Sequence, residues 1–151
     1  MLCLIAVGAR GMRDLQRLAP IRMTADLWAL AAALLLAVVQ LTLSSVLTLR
    51  QLGGDWVLSA RDEPREVKGL SGRFVRAHRN LLEIFPQFLA ALFLVHVAGR
   101  AGSLSAIGAW VFVVARVLYV PAYAFAPAGV RPICWIIAQV GIFLIVADLF
   151  V

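Results

Sequence analysis

The sequence predicts an all-α integral membrane protein built as a bundle of four transmembrane helices, and three observations predict it. The chain is 63% hydrophobic and only 15% charged, with a mean hydropathy of +0.94, whereas soluble domains are roughly 45–50% apolar and about 25% charged. The apolar residues gather into four runs of about 20, the number that crosses a bilayer core about 30 Å thick. A length of 151 residues then leaves only short connections and no separate soluble domain.

The first span is expected over about 24–49, TADLWALAAALLLAVVQLTLSSVLTL, with Trp28 as an interfacial anchor near one end and Arg50 closing the other. Gln40, Thr42, Ser44 and Ser45 are polar but neutral, which suits a helix packed against others more than one bathed in lipid. A polar connection, Gln51 to Gly72, follows, with Gly53-Gly54, Pro64 and many charges. The second span is expected over about 73–98, ending at the turn Gly99-Arg100-Ala101-Gly102, and the third over about 103–125. Pro127, Gly129 and Pro132 interrupt the chain before a fourth span over about 133–151. Pro132 fits a first helical turn, where its missing N–H is not needed. Pro86 and Pro121 fall inside spans two and three, where neighbouring helices can satisfy the freed carbonyls.

Topology follows from the cations. Arg50, Arg61, Arg65, Lys68, Arg73, Arg76 and Arg79 fall where span one closes, in the connection and in the opening of span two, so that side is expected to be cytoplasmic, with both termini on the other. Arg10, Arg13, Arg17 and Arg22 would then stand on the wrong face. Residues 1–22 are therefore expected to be an extension, disordered or arising from a mis-assigned start, with residues 23–151 forming the membrane domain. Mass spectrometry of the native N-terminus tests this: a product beginning at Met1 refutes the mis-assigned start.

Composition also narrows the function classes. The net charge of +6 reflects cytoplasmic-side loops, and Asp55, Asp62, Glu63 and Glu66 dilute the basic loop, so a nucleic-acid partner is not expected. Cys3 and Cys134 make no spacing motif, and Cys134, in an apolar run, reads as a small hydrophobe. With two histidines and two cysteines, no metal site is expected.

The chemistry lies in two polar stripes. Arg76, Asn80, Glu83 and Gln87 are spaced four, three and four apart, so they share one face of a helix, with Arg73 and Arg79 beside them. Leu81, Leu82, Ile84, Phe85 and Phe88 suit packing or lipid. Arg116, Tyr119 and Tyr123 repeat the three-and-four spacing in span three. An arginine that deep must face protein or a wet cleft, because a charge at a span centre costs about 2.5–3.5 kcal/mol. Arg131, before span four, lies on the same membrane side as Arg50 and Arg76. One reading is a purely structural network in which Glu83 is neutralised by arginine, with the tyrosines as interfacial belt residues. The other is a cationic cleft for a small polyanion that also bears an amine, which Glu83 receives, beside a hydrophobic co-substrate from the bilayer. The excess of arginine over Glu83 favours the second. Trp110, His96 and Asp148 read as an interface anchor, a buried or interfacial histidine, and a carboxylate near the far surface.

The segment Arg76-Ala77-His78-Arg79-Asn80-Leu81-Leu82-Glu83-Ile84-Phe85-Pro86 resembles the R-A-x-x-N-x-x-E-x-x-P signature of the MAPEG family, the membrane-associated proteins of eicosanoid and glutathione metabolism. Arg116-x-x-Tyr119-x-x-x-Tyr123 and Arg131 support the likeness, which runs from Thr24 to the C-terminus. The resemblance implies a homotrimer that binds glutathione as co-substrate between subunits near the cytoplasmic face. It implies that Arg76, Asn80 and Glu83 hold the carboxylates and amine of glutathione, with Arg73 and Arg79 nearby. Arg116, Tyr119 and Tyr123 would complete the pocket, together with Arg50 at the end of span one. Arg131 becomes the expected catalytic residue, a thiol activator, since a guanidinium beside sulfur favours the thiolate.

The chain departs from the eicosanoid-forming members in reading Arg131-Pro132-Ile133-Cys134-Trp135. Pro132 offers sulfur no hydroxyl, which favours conjugation or peroxide reduction over isomerase chemistry. The expected function is therefore a glutathione-dependent membrane transferase or peroxidase acting on hydrophobic electrophiles or lipid hydroperoxides. A non-catalytic lipid- or partner-binding protein on the same scaffold is the alternative. An anion transporter is the third reading, although no inverted repeat supports it.

Overall fold

A computed structural model describes residues 23–60, 62–127 and 129–151, and every regular element among them is a helix. In chain order these are α1 (Ala25–Leu52), α2 (Gly54–Leu58), α3 (Gly69–Val97), α4 (Ser103–Phe125) and α5 (Val130–Ala147). Four of them, α1, α3, α4 and α5, are long and apolar enough to cross a membrane, as the four apolar runs predict. The expectation for residues 1–22 lies outside the described residues.

Helix α1 runs three residues past the expected 49, α3 begins four residues before the expected 73 and α5 ends at Ala147 rather than 151; two further differences have a local reason. The polar connection is not wholly irregular: after Gly53, whose φ of 83° is open to glycine without steric cost, the short helix α2 forms with Asp55 in its first turn. Its Trp56 indole Nε1–H donates to the Glu63 carbonyl at 3.0 Å, which folds the connection back on itself. Helix α5 starts three residues ahead of the expected Ile133, so that Pro132 occupies the third position of the first turn. The first four N–H groups of a helix have no intrahelical partner, so a proline there removes no helical bond.

Helix α1 packs on α3 and α4, α5 packs on the same two, and α4 with α5 forms the most extensive pair. The core therefore lies along α3 and α4. Phe88 and Phe112 stack at its centre with ring centroids 4.0 Å apart, surrounded by Leu81, Ile84, Leu92, Val95 and Ile145. Pro86 and Pro121 lie within α3 and α4, which both continue through them. The outward faces are apolar and exposed, including Leu34, Leu35, Phe93, Leu118 and Phe143, as a surface meeting lipid tails or another apolar protein face requires.

Carboxylates tie the bundle together at the end away from the polar stripes. Asp148, at the end of α5, accepts hydrogen bonds from the N–H groups of Gly102 and Ser105, both at 2.8 Å, and so caps α4 from another helix. Asp26, 2% exposed, accepts from Thr24 Oγ1 and from the Leu27 N–H. It also meets Ser105 Oγ at 3.4 Å and His96 Nε2 at 3.5 Å. The carboxylate foreseen near the far surface is thus a capping group, and the histidine joins α3 to α1. Bonds to a charged acceptor are roughly twice as strong as neutral ones. Asp148→Asn should therefore lower stability by roughly 1–2 kcal/mol without altering ligand affinity, as read from thermal unfolding in detergent with and without ligand.

Candidate functional site

At the opposite end, α3, α4 and the start of α5 surround a cavity of about 560 Å³ lined by Arg76, Arg79, Asn80, Glu83, Tyr119, Tyr123, Arg131, Pro132 and Trp135. Each helix contributes through its own periodicity. The three-and-four spacing on α3 turns Arg76, Asn80 and Glu83 to one face, and the same spacing on α4 does so for Tyr119 and Tyr123. Gln87 continues the α3 stripe, its Nε2 donating to the Glu83 carbonyl at 3.5 Å. Arg131 and Trp135 are four apart on α5, hence neighbours on one side of it.

The floor is a relay of hydrogen bonds. Arg116 on α4, 0% exposed, donates from Nη1 to Asn80 Oδ1 at 3.0 Å, and Asn80 Nδ2 donates to Glu83 Oε2 at 3.2 Å. A guanidinium only donates and a carboxylate only accepts, so the Asn80 amide has a single consistent orientation between them. The Tyr119 ring covers the Arg116 guanidinium with its centroid 4.2 Å from Cζ, a cation–π contact that partly offsets burial of the charge.

Tyr123 organises the rim. Its hydroxyl accepts from Arg76 Nε at 3.2 Å, and its ring lies 4.9 Å from Arg131 Cζ and 6.0 Å from Arg76 Cζ. Tyr119 and Tyr123 are themselves in ring contact, with centroids 5.6 Å apart. Arg73 donates from Nη1 to the Ala124 carbonyl at 2.7 Å, which fastens the start of α3 to the end of α4 beside the cavity rather than in its lining.

The electrostatics follow from what is paired. Ion pairs among the described residues join Arg65 to Glu63, Lys68 to Glu66 and His96 to Asp26. None of them involves Arg76, Arg79, Arg116, Arg131 or Glu83. Three arginines therefore line the cavity against one carboxylate, with a fourth beneath it. Such a site attracts an anion and retains one acceptor for a cationic group. The network of the alternative reading, in which an arginine directly neutralises Glu83, is not formed among the described residues, since Asn80 stands between Arg116 and Glu83.

Most of the residues read from the two stripes thus surround one cavity, Arg116 supports it from below and Arg73 braces its edge. Arg50 does not line it: it is exposed in the last turn of α1. Sequence reasoning missed Trp135 and Pro132 as lining, although the four-residue step from Arg131 to Trp135 carried the signal for the first. Among the described residues no group of three or more His, Cys, Asp or Glu stands close enough to hold a metal ion.

A family model described as the MAPEG family matches residues 27–151. Comparison with curated proteins gives no match.

Proposed function

Since the chain belongs to the MAPEG family across residues 27–151, we propose that it is a glutathione-dependent membrane transferase or peroxidase, working as a homotrimer with its site toward the cytoplasm. The observation that carries this reading is the cavity in which Arg76, Arg79 and Arg131 face a single carboxylate, Glu83, with no ion pair among them. Glutathione has the complementary groups: two carboxylates, one ammonium and a thiol. Its carboxylates pair with Arg76 and Arg79, and its ammonium with Glu83, which Asn80 holds in place.

The thiol then lies toward Arg131. The guanidinium stabilises sulfur as the thiolate and the proton leaves to solvent. In conjugation, the sulfur lone pair forms a C–S bond while the leaving group departs with its electron pair. With a hydroperoxide, sulfur attacks the distal oxygen, the O–O bond breaks to release the alcohol, and a second glutathione displaces the oxygen as water to give the disulfide. Trp135 and Pro132, apolar and beside Arg131 in the lining, suit a hydrophobic co-substrate arriving from the bilayer. Arg50, outside the cavity of its own chain, is available to complete the site of a neighbouring subunit.

Glu83→Gln tests the binding half of this reading. The charged contact to the ammonium is lost, and glutathione affinity should fall by roughly 1–3 kcal/mol, measured by calorimetry on the detergent-solubilised protein. An unchanged affinity removes Glu83 from the site. Stopped-flow absorbance of thiolate on mixing with glutathione tests the catalytic half: binding without thiolate formation identifies a non-catalytic binding protein on this scaffold.

A further inference from the structure

Gln40, midway along α1, is 5% exposed, and neither its Oε1 nor its Nε2 has a hydrogen-bond partner within the chain. A buried amide left unpaired is destabilising, because it has given up its water without a replacement partner. Of the other spans, α1 touches only α3 and α4, so it is those two helices that cover Gln40. Its depth follows from Asp26, which meets His96 of α3 and Ser105 of α4. Fourteen residues farther along α1, about 21 Å at 1.5 Å per residue, Gln40 stands level with the surroundings of Leu82 on α3 and Tyr119 on α4. That is within about one helical turn of Asn80 and Arg116.

Arg116, three residues from Tyr119, is the buried polar group nearest this depth; His78 on α3, whose Nδ1 also lacks a partner, lies four residues from Leu82. Arg116 Nη1 serves Asn80, while Nε and Nη2 are buried without a partner. The two unmet requirements are complementary, since the guanidinium N–H groups only donate and the amide oxygen accepts. A buried water typically makes about three hydrogen bonds to such otherwise unsatisfied groups, accepting from the arginine and donating to Gln40 Oε1.

Resting on the glutathione reading of the cavity, we propose that Gln40 is a positioning residue: through one buried water it holds the inner edge of Arg116, and so fixes the Arg116–Asn80–Glu83 relay that receives the ligand. Helix α1, which lines none of the cavity, thereby takes part in binding. Gln40 touches no ligand and acts only through Arg116.

Melting of the ligand-free protein and glutathione affinity, measured on the same variants in detergent, test the link. Gln40→Leu should lower Tm by about 2–5 °C and weaken glutathione binding about fivefold with little change in kcat. Gln40→Glu, which sets a carboxylate toward the guanidinium, should melt higher than Gln40→Leu. In an Arg116→Met background, where no donor awaits the amide, Gln40→Leu should raise Tm instead. Equal shifts in both backgrounds overturn the proposal. So does a Gln40→Glu variant that melts below Gln40→Leu, an arm that decides the matter even if Arg116→Met fails to fold. Coupled shifts in a protein that binds no glutathione overturn the glutathione reading and keep the Gln40–Arg116 link. Glutathione binding with uncoupled shifts overturns the link alone.

Discussion

Arg131→Leu should lower kcat about 25-fold at pH 7 while glutathione affinity changes by less than about threefold. The magnitude follows from thiol chemistry. A free thiol titrates near 8.5, and a two-unit depression corresponds to about 2.7 kcal/mol of preferential stabilisation of the thiolate. Without that help, the thiolate share of the bound ligand at pH 7 falls from roughly three quarters to about 3%, a roughly 25-fold loss. The small effect on affinity follows from geometry, because Arg76 and Arg79 stand on α3 whereas Arg131 stands on α5. Under the proposed pose the carboxylates keep their partners when Arg131 is lost.

Leucine retains apolar bulk next to Pro132 and Trp135, so the cavity wall stays filled and the change removes charge more than shape. Arg131→Lys separates charge from geometry. It keeps a cation but not the planar fork that rests over Tyr123 at 4.9 Å, and should recover part of the lost rate. Steady-state kinetics with a chromogenic electrophile, together with stopped-flow thiolate absorbance, read both variants. Wild-type kinetics in Arg131→Leu would exclude Arg131 from the mechanism. A loss of affinity that matches the loss of rate would make it a binding residue instead.

How far the site was legible in the sequence depended on whether its information was periodic. Arg76, Asn80 and Glu83 are legible because helical spacing alone places them on one face, and Tyr119 and Tyr123 are legible for the same reason. The four spans follow from apolar run length, which the bilayer fixes physically. What sequence does not carry is which polar atom satisfies which across helices. Asp148 and Gly102 are 46 residues apart, and no spacing rule predicts that the carboxylate of one helix end caps the start of another. The placement of Asn80 between Arg116 and Glu83 is equally tertiary: the residues suggest an ion pair, and the fold interposes an amide. Helix α2 was missed because five residues are too few for periodicity to register. Gln40 was visible only as a polar residue in an apolar run, a pattern that says the helix is packed without saying against what.

The site also depends on a contact that lies outside it. Helices α4 and α5 carry Tyr119, Tyr123 and Arg131, and their mutual approach is set by Gly108 and Gly141. A Cβ placed on Gly108 would lie 2.5 Å from the Gly141 carbonyl oxygen, and one on Gly141 would lie 2.6 Å from the Gly108 oxygen. Both obstructing atoms are backbone, so no rotamer change relieves the clash and the helices themselves must separate. Close approach at small residues is how apolar helices associate where water supplies no drive, and overpacking a well-filled core typically costs about 1–3 kcal/mol, sometimes more. Gly108→Ala should therefore destabilise by about 3 kcal/mol. Gly108→Val adds two further methyl groups against Leu144 Cβ and Ile145 Cγ1, which already lie 2.9 and 3.0 Å from the first carbon, and should abolish recovery of folded protein by size exclusion in detergent. In the surviving Gly108→Ala protein, glutathione affinity should change little while kcat falls. Under the proposed pose the α3 groups that hold the ligand stay in place, whereas Arg131, carried by α5, moves away from the sulfur. An alanine variant with native melting would mean that the α4–α5 spacing is looser than these distances require, and the rigid placement of Arg131 would fall with it.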